Sequence, residues 1–125
     1  MNESLMPKII KIATRKSPLA LWQARRVSEL LKSMDSSLVI ELVKITTEGD
    51  KILDKPLYDI GGKSLFLKEL EQSLLNEECD IAVHSMKDMP AILHNDLKIS
   101  AMLEREDARD ILISRKYNTL SEFNI

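Results

Sequence analysis

Three short clusters in this chain hold the side chains capable of chemistry. His84-Ser85-Met86-Lys87-Asp88 puts an imidazole, a hydroxyl, a cation and a carboxylate within one turn's length. Thr14-Arg15-Lys16-Ser17-Pro18 sets two cations before a helix start, and Gly61-Gly62-Lys63-Ser64 carries a lysine beside a glycine pair. A Ser–His hydrolase does not fit the first cluster, because adjacent side chains on extended backbone point to opposite faces. His84, His94 and Cys79 have no recognised zinc spacing, so no metal is expected. A phosphate loop ending at Gly62-Lys63-Ser64 needs a glycine five residues before Gly62, where Leu57 stands.

What remains is carboxylate chemistry. Arg15 beside the N–H groups of a helix N-terminus suits a carboxylate held by two parallel hydrogen bonds; the plainer alternative is a capped helix with a solvated arginine. Lys63 is either delivered by a hinge or sits solvated on a turn. Asp88 facing Arg15, Lys63 and Lys87 would stay ionised at neutral pH and could stabilise a cationic intermediate, or else it caps a turn before Pro90.

The elements that would hold these clusters alternate. Residues 8–13 read as a short buried strand, and Ser17 with Pro18 forms a helix start with a side-chain cap and a first-turn proline. Leu19, Trp22, Val27, Leu30 and Met34 form an apolar stripe at near-helical spacing, which makes Trp22 a core residue rather than a ligand platform. Residues 38–45 are rich in β-branched side chains and read as a second strand. Residues 46–62 are polar, contain Pro56 and all three glycines, and show no sustained period. Residues 64–76 place Leu67, Leu70 and Leu74 on one helical face, and residues 80–83 read as a central parallel strand. Residues 97–103 and 110–114 are further strand candidates. The expected fold is α/β, a mainly parallel sheet with helices on both faces. Ligands bind beyond the carboxyl ends of such strands, which brings residues 14–17, 46–63 and 84–90 together.

Composition narrows the class. A hydrophobic fraction of 44% with 30% charged residues is that of an ordinary globular protein, with no run long enough to span a membrane. Eighteen Lys and Arg against twenty Asp and Glu give a net charge of −2, too balanced for a dedicated nucleic-acid binder. The charge is local instead: residues 1–26 carry six cations against Glu3, while residues 69–80 carry five acids and no cation. A single cysteine, Cys79, and no secretory signal point to a reducing, cytoplasmic setting.

Four segments together resemble the porphobilinogen deaminase (hydroxymethylbilane synthase) family. They are Ile12-Ala13-Thr14-Arg15-Lys16-Ser17-Pro18-Leu19-Ala20, Gly61-Gly62-Lys63-Ser64-Leu65-Phe66-Leu67-Lys68-Glu69-Leu70, Asp80-Ile81-Ala82-Val83-His84-Ser85-Met86-Lys87-Asp88-Met89-Pro90 and Glu104-Arg105-Glu106-Asp107-Ala108-Arg109-Asp110. Ala108 stands where relatives often have proline, and Asp59 where some have lysine. The resemblance implies a type II periplasmic-binding-protein-like domain and a transferase of haem and porphyrin biosynthesis. Such an enzyme joins porphobilinogen units on a dipyrromethane cofactor, releasing ammonia and finally a linear hydroxymethylbilane. It implies Asp88 as the catalytic aspartate that meets pyrrole N–H groups and stabilises positive charge, Arg15 as an active-site arginine, and Ser17, Ser85 and Lys87 as cofactor-binding residues. Lys63 and Phe66 would belong to a mobile, substrate-binding loop.

The family's chain is more than twice as long. Residues 1–103 are therefore expected to form most of a first domain, lacking its return segment, and residues 104–125 the crossover and the start of a second. The cofactor's attachment cysteine is expected outside this chain, with Cys79 a structural thiol, and the 125 residues alone are expected to be inactive. The alternative from another class is a non-catalytic module that binds small carboxylates with the same loops.

Overall fold

The computed structural model describes residues 7–52 and 65–122. Expectations for Lys63 and for the order of residues 53–62 lie outside that range.

Three strands form one parallel sheet in the order β2-β1-β3. The central strand β1 (Ile9–Arg15) pairs along its full length with β2 (Val39–Ile45), from Ile9↔Val39 to Arg15↔Ile45. On its other side it pairs with β3 (Ile81–Ala82) through Ile12↔Ile81 and Ala13↔Ala82. Hydrogen bonds extend that short pairing, from the Asp80 amide to the Lys11 carbonyl at 2.9 Å and from the Val83 amide to the Ala13 carbonyl at 3.1 Å. Because β1 is flanked on both edges and covered on both faces, Ile12, Ala13 and Thr14 are all fully buried.

Alternation along β1 sends Ile12 and Thr14 to one face and Ala13 to the other. Helix α1 (Pro18–Met34) covers the Thr14 face, where the threonine hydroxyl donates to the Ala20 carbonyl at 3.2 Å. Helix α3 (Lys68–Leu75) covers the opposite face, with Leu70 packed against Ala13 and Cys79. Fully burying a leucine such as Leu70 contributes about 2 kcal/mol. The α/β expectation of a parallel sheet with a helix on each face is met.

Four local readings are corrected. The side of α1 against the sheet is Ala20 and Ala24, whose small side chains let helix and strands approach closely, while Leu19, Trp22 and Met34 are exposed. Trp22, at 53% exposure, is not a core residue. A helical turn, α2 (Glu48–Lys51), lies in the stretch that shows no period. Residues 97–103 and 110–114 form no strand; they have no ladder partner among the described residues, and Met102, Leu103, Ile111, Leu112 and Ile113 face outward.

The caps explain where the helices begin and end. Ser17 sits in extended backbone with Pro18 behind it, and its hydroxyl accepts from the Ala20 amide at 3.3 Å. At the end of α3, Glu77 adopts a left-handed φ of 59°, and the Glu77 and Glu78 amides return to the Leu74 and Ser73 carbonyls.

Candidate active site

The carboxyl ends of the three strands bring together two groups of side chains. The first is built around Arg15, the last residue of β1. Its Nε lies 3.2 and 3.3 Å from the two carboxylate oxygens of Asp50, and its Nη2 lies 2.5 Å from Oδ1. The guanidinium also lies over the Phe66 ring, 4.0 Å from its centroid.

Asp50 is itself held by a capping box. The Thr47 amide and hydroxyl donate to its Oδ2 at 3.2 and 2.7 Å, while its own amide donates back to the Thr47 hydroxyl at 3.3 Å. Burial acts to raise the Asp50 pKa, but the bonds from Arg15 and Thr47 outweigh it and hold the carboxyl below its ordinary value. The Gly49 amide donates to the Leu65 carbonyl at 2.9 Å, and the Glu48 amide to Glu69 Oε1 at 2.7 Å, which ties α2 to the segment carrying Phe66.

The second group follows β3. A 3₁₀ turn, Met86–Asp88, closes through the Asp88 amide and the Ser85 carbonyl at 3.0 Å. The Ser85 hydroxyl and the Gln23 side-chain amide exchange hydrogen bonds at 3.0 and 3.3 Å, linking this turn to α1. His84 lies between the two groups electrostatically. Burial lowers its pKa below 6.5, Asp88 opposes that shift and Arg15 reinforces it. The Asp88 carboxylate is half-buried, and among the described residues it accepts no hydrogen bond, so it does not cap its own turn.

Residues 10–124 match the family model described as "Porphobilinogen deaminase, dipyromethane cofactor binding domain". The chain belongs to the porphobilinogen deaminase family. It is 54% identical over 113 residues to the porphobilinogen deaminase of Rickettsia bellii (strain OSU 85-389), covering 90% of this chain and 38% of that protein. With the porphobilinogen deaminase of Rickettsia canadensis (strain McKiel) it shares 52% identity over 117 residues, 94% of this chain and 39% of the relative. The chain thus spans less than two-fifths of the length of these relatives. The parallel sheet covered on both faces agrees with the type II periplasmic-binding-protein-like architecture of the porphobilinogen deaminases.

The family's cofactor carries carboxylate side chains. The groups present suit it: Ser17 keeps its hydroxyl proton free to donate while its oxygen caps α1, and Lys87 is exposed with no ion-pair partner among the described residues. Cys79 is a different matter. Only 6% exposed and packed with Ala13 and Leu70, its thiol is a core group and no attachment point. Of the sequence candidates, the structure brings Arg15 and Phe66 together in the first group and places Ser85 and Asp88 in the second; Asp50 and Gln23, which bond to them, are not among those candidates. Asp50 had a signal in Thr47-x-x-Asp50, the spacing of a capping box; Gln23 had none. In the sequence reading Asp88 faces a pocket lined by Arg15, Lys63 and Lys87; the carboxylate bonded to Arg15 is Asp50, while Asp88 and Arg15 both act on His84. Among the described residues no helix is long and apolar enough to cross a membrane, and no group of His, Cys, Asp or Glu is arranged to hold a metal ion.

Proposed function

We propose that the protein containing these residues acts in the cytoplasm as a hydroxymethylbilane synthase, condensing porphobilinogen head to tail with release of ammonia. The observation that carries this reading is Asp88: a half-buried carboxylate at the carboxyl end of a parallel sheet, not consumed by capping or ion pairing among the described residues. Such a group stabilises positive charge that develops as an amine departs from a pyrrole-bound carbon. A module that only bound carboxylates would lose affinity by placing Asp88 there.

The other residues divide the remaining work. Arg15 holds a substrate carboxylate through its guanidinium, and Phe66 supports that guanidinium from one face. Ser17, Ser85 and Lys87 hold the acidic side chains of the dipyrromethane, and Lys63 joins Phe66 in contacting substrate. When bound, that cofactor supplies the pyrrole terminus that is extended. Its covalent anchor is a cysteine other than Cys79. We also place a domain boundary between residues 103 and 104, supported by the exposed, irregular backbone on both sides of it.

In the full-length protein, Asp88→Ala is expected to lower porphobilinogen turnover at least about a hundredfold while leaving the unfolding midpoint unchanged. Near-normal turnover would overturn the assignment. The 125-residue chain incubated with porphobilinogen is expected to show no covalent dipyrromethane by mass spectrometry.

A further inference from the structure

We infer that Asp50 is a positioning residue that fixes Arg15 as a carboxylate-binding fork with only one edge open. A guanidinium has five N–H donors in one plane. Asp50 occupies the Nε–H and one Nη2–H, and Phe66 lies against one face of that plane. Both Nη1 donors and the second Nη2 donor have no partner among the described residues; one N–H from each of these two nitrogens points side by side from the tip, while the other Nη1–H points back along the Cδ side. The tip edge matches a carboxylate end-on, by two parallel hydrogen bonds.

The lock is rigid because each part is held by another. Thr47 is fully buried and grips Asp50 Oδ2, leaving Oδ1 as the main acceptor from Arg15. Gly49 provides the room in which Phe66 lies. A long flexible side chain loses much rotamer freedom when it grips a ligand, and a side chain already held loses little. Asp50 also brings a negative charge close to the incoming carboxylate, so its two effects oppose each other. The geometry favours orientation as the dominant one, since a bonded Oδ1 sits on the side edge, away from the open tip.

The inference deepens the proposed function by assigning the carboxylate specificity of the same site to Asp50, but its test does not depend on turnover. In full-length protein labelled with ¹⁵N, titration with propionate is followed at the Arg15 side-chain resonances. Propionate is expected to shift the Nη signals and leave Nε nearly unmoved. Asp50→Ala should weaken propionate binding about fivefold, half the rotamer freedom of an arginine, while Asp50→Asn, which keeps an oxygen acceptor, should stay within about twofold of the parent. In an Arg15→Ala background, Asp50→Ala should cause no further loss, a result that general structural damage would not give. If Asp50→Ala and Asp50→Asn both bind propionate as tightly as the parent or more tightly, or if the Arg15 and Asp50 losses multiply, the positioning role is overturned. Failure of porphobilinogen turnover in the parent protein would overturn the proposed function instead, without touching these outcomes.

Discussion

Gly49 and Phe66 are in such close contact that a Cβ on Gly49 would lie 2.8 Å from the ring Cζ and nearer still to Cδ1 and Cε1. The ring cannot retreat freely, because the Arg15 guanidinium lies over it, 4.0 Å from its centroid. Gly49→Ala should therefore displace Phe66 and cost about 1–3 kcal/mol in urea unfolding, the usual range for overpacking. In a Phe66→Ala background the same change should be neutral or stabilising, since alanine is the better helix former by about 1 kcal/mol. Equal losses in both backgrounds would mean that the ring is not the obstacle.

Asp50 links this corner to pH. Its folded pKa lies below the ordinary carboxylate value of 3.8, so its contribution to stability is fully present above about pH 4–5 and is lost as pH falls through the folded pKa. Asp50→Asn removes the ionised partner of Arg15 and should cost about 1–2 kcal/mol at pH 7. The gap between parent and variant should close as the pH is lowered below 4. Unfolding measured across that range checks both the sign and the window; a gap that stays constant down to pH 2 would refute it.

The parts of this fold that the sequence makes legible are those set by local chemistry. The Ser17-Pro18 helix start, the β-branched run of β2 and the Leu67/Leu70/Leu74 face of α3 each follow from a residue type and a period. What periodicity does not carry is which side of a helix a sheet selects. The sheet takes Ala20 and Ala24 because close approach over Thr14 requires small side chains, and the larger Leu19 and Trp22 turn outward. Pairing is also non-local: residues 97–103 and 110–114 have strand-like composition but no neighbouring strand to bond. The site follows the same division. Asp88 and Arg15 stand out as charged groups at strand ends, whereas the bond between Arg15 and Asp50 joins residues 35 positions apart through the docking of α2.

The end of α3 offers a stability test far from the site. Glu77 holds a left-handed φ of 59° at the position after the cap, where glycine is the usual residue because a Cβ is strained there. Glu77→Gly relieves that strain while losing some entropy in the unfolded comparison. The net gain should be about 0.5–1 kcal/mol by thermal or urea unfolding. A loss would show that the Glu77 side chain makes a contribution larger than its backbone cost.

His84 should give the site a second pH signature, near neutrality rather than in acid. Burial disfavours its charged form, Asp88 pulls the other way and Arg15 adds to the burial effect, leaving the pKa below 6.5. The imidazole is therefore neutral at pH 7. Because the unfolded chain takes up this proton first, stability should fall as pH drops from about 6.5 to the folded pKa, and His84→Gln should remove that slope. Asp88→Asn deletes the one influence that favours the charged form, so it should lower the His84 pKa further. NMR titration of the imidazole in parent and Asp88→Asn proteins tests both points. A His84 midpoint at or above 6.5, or one that rises in the variant, would mean that burial and the Asp88 charge do not set the protonation of this histidine.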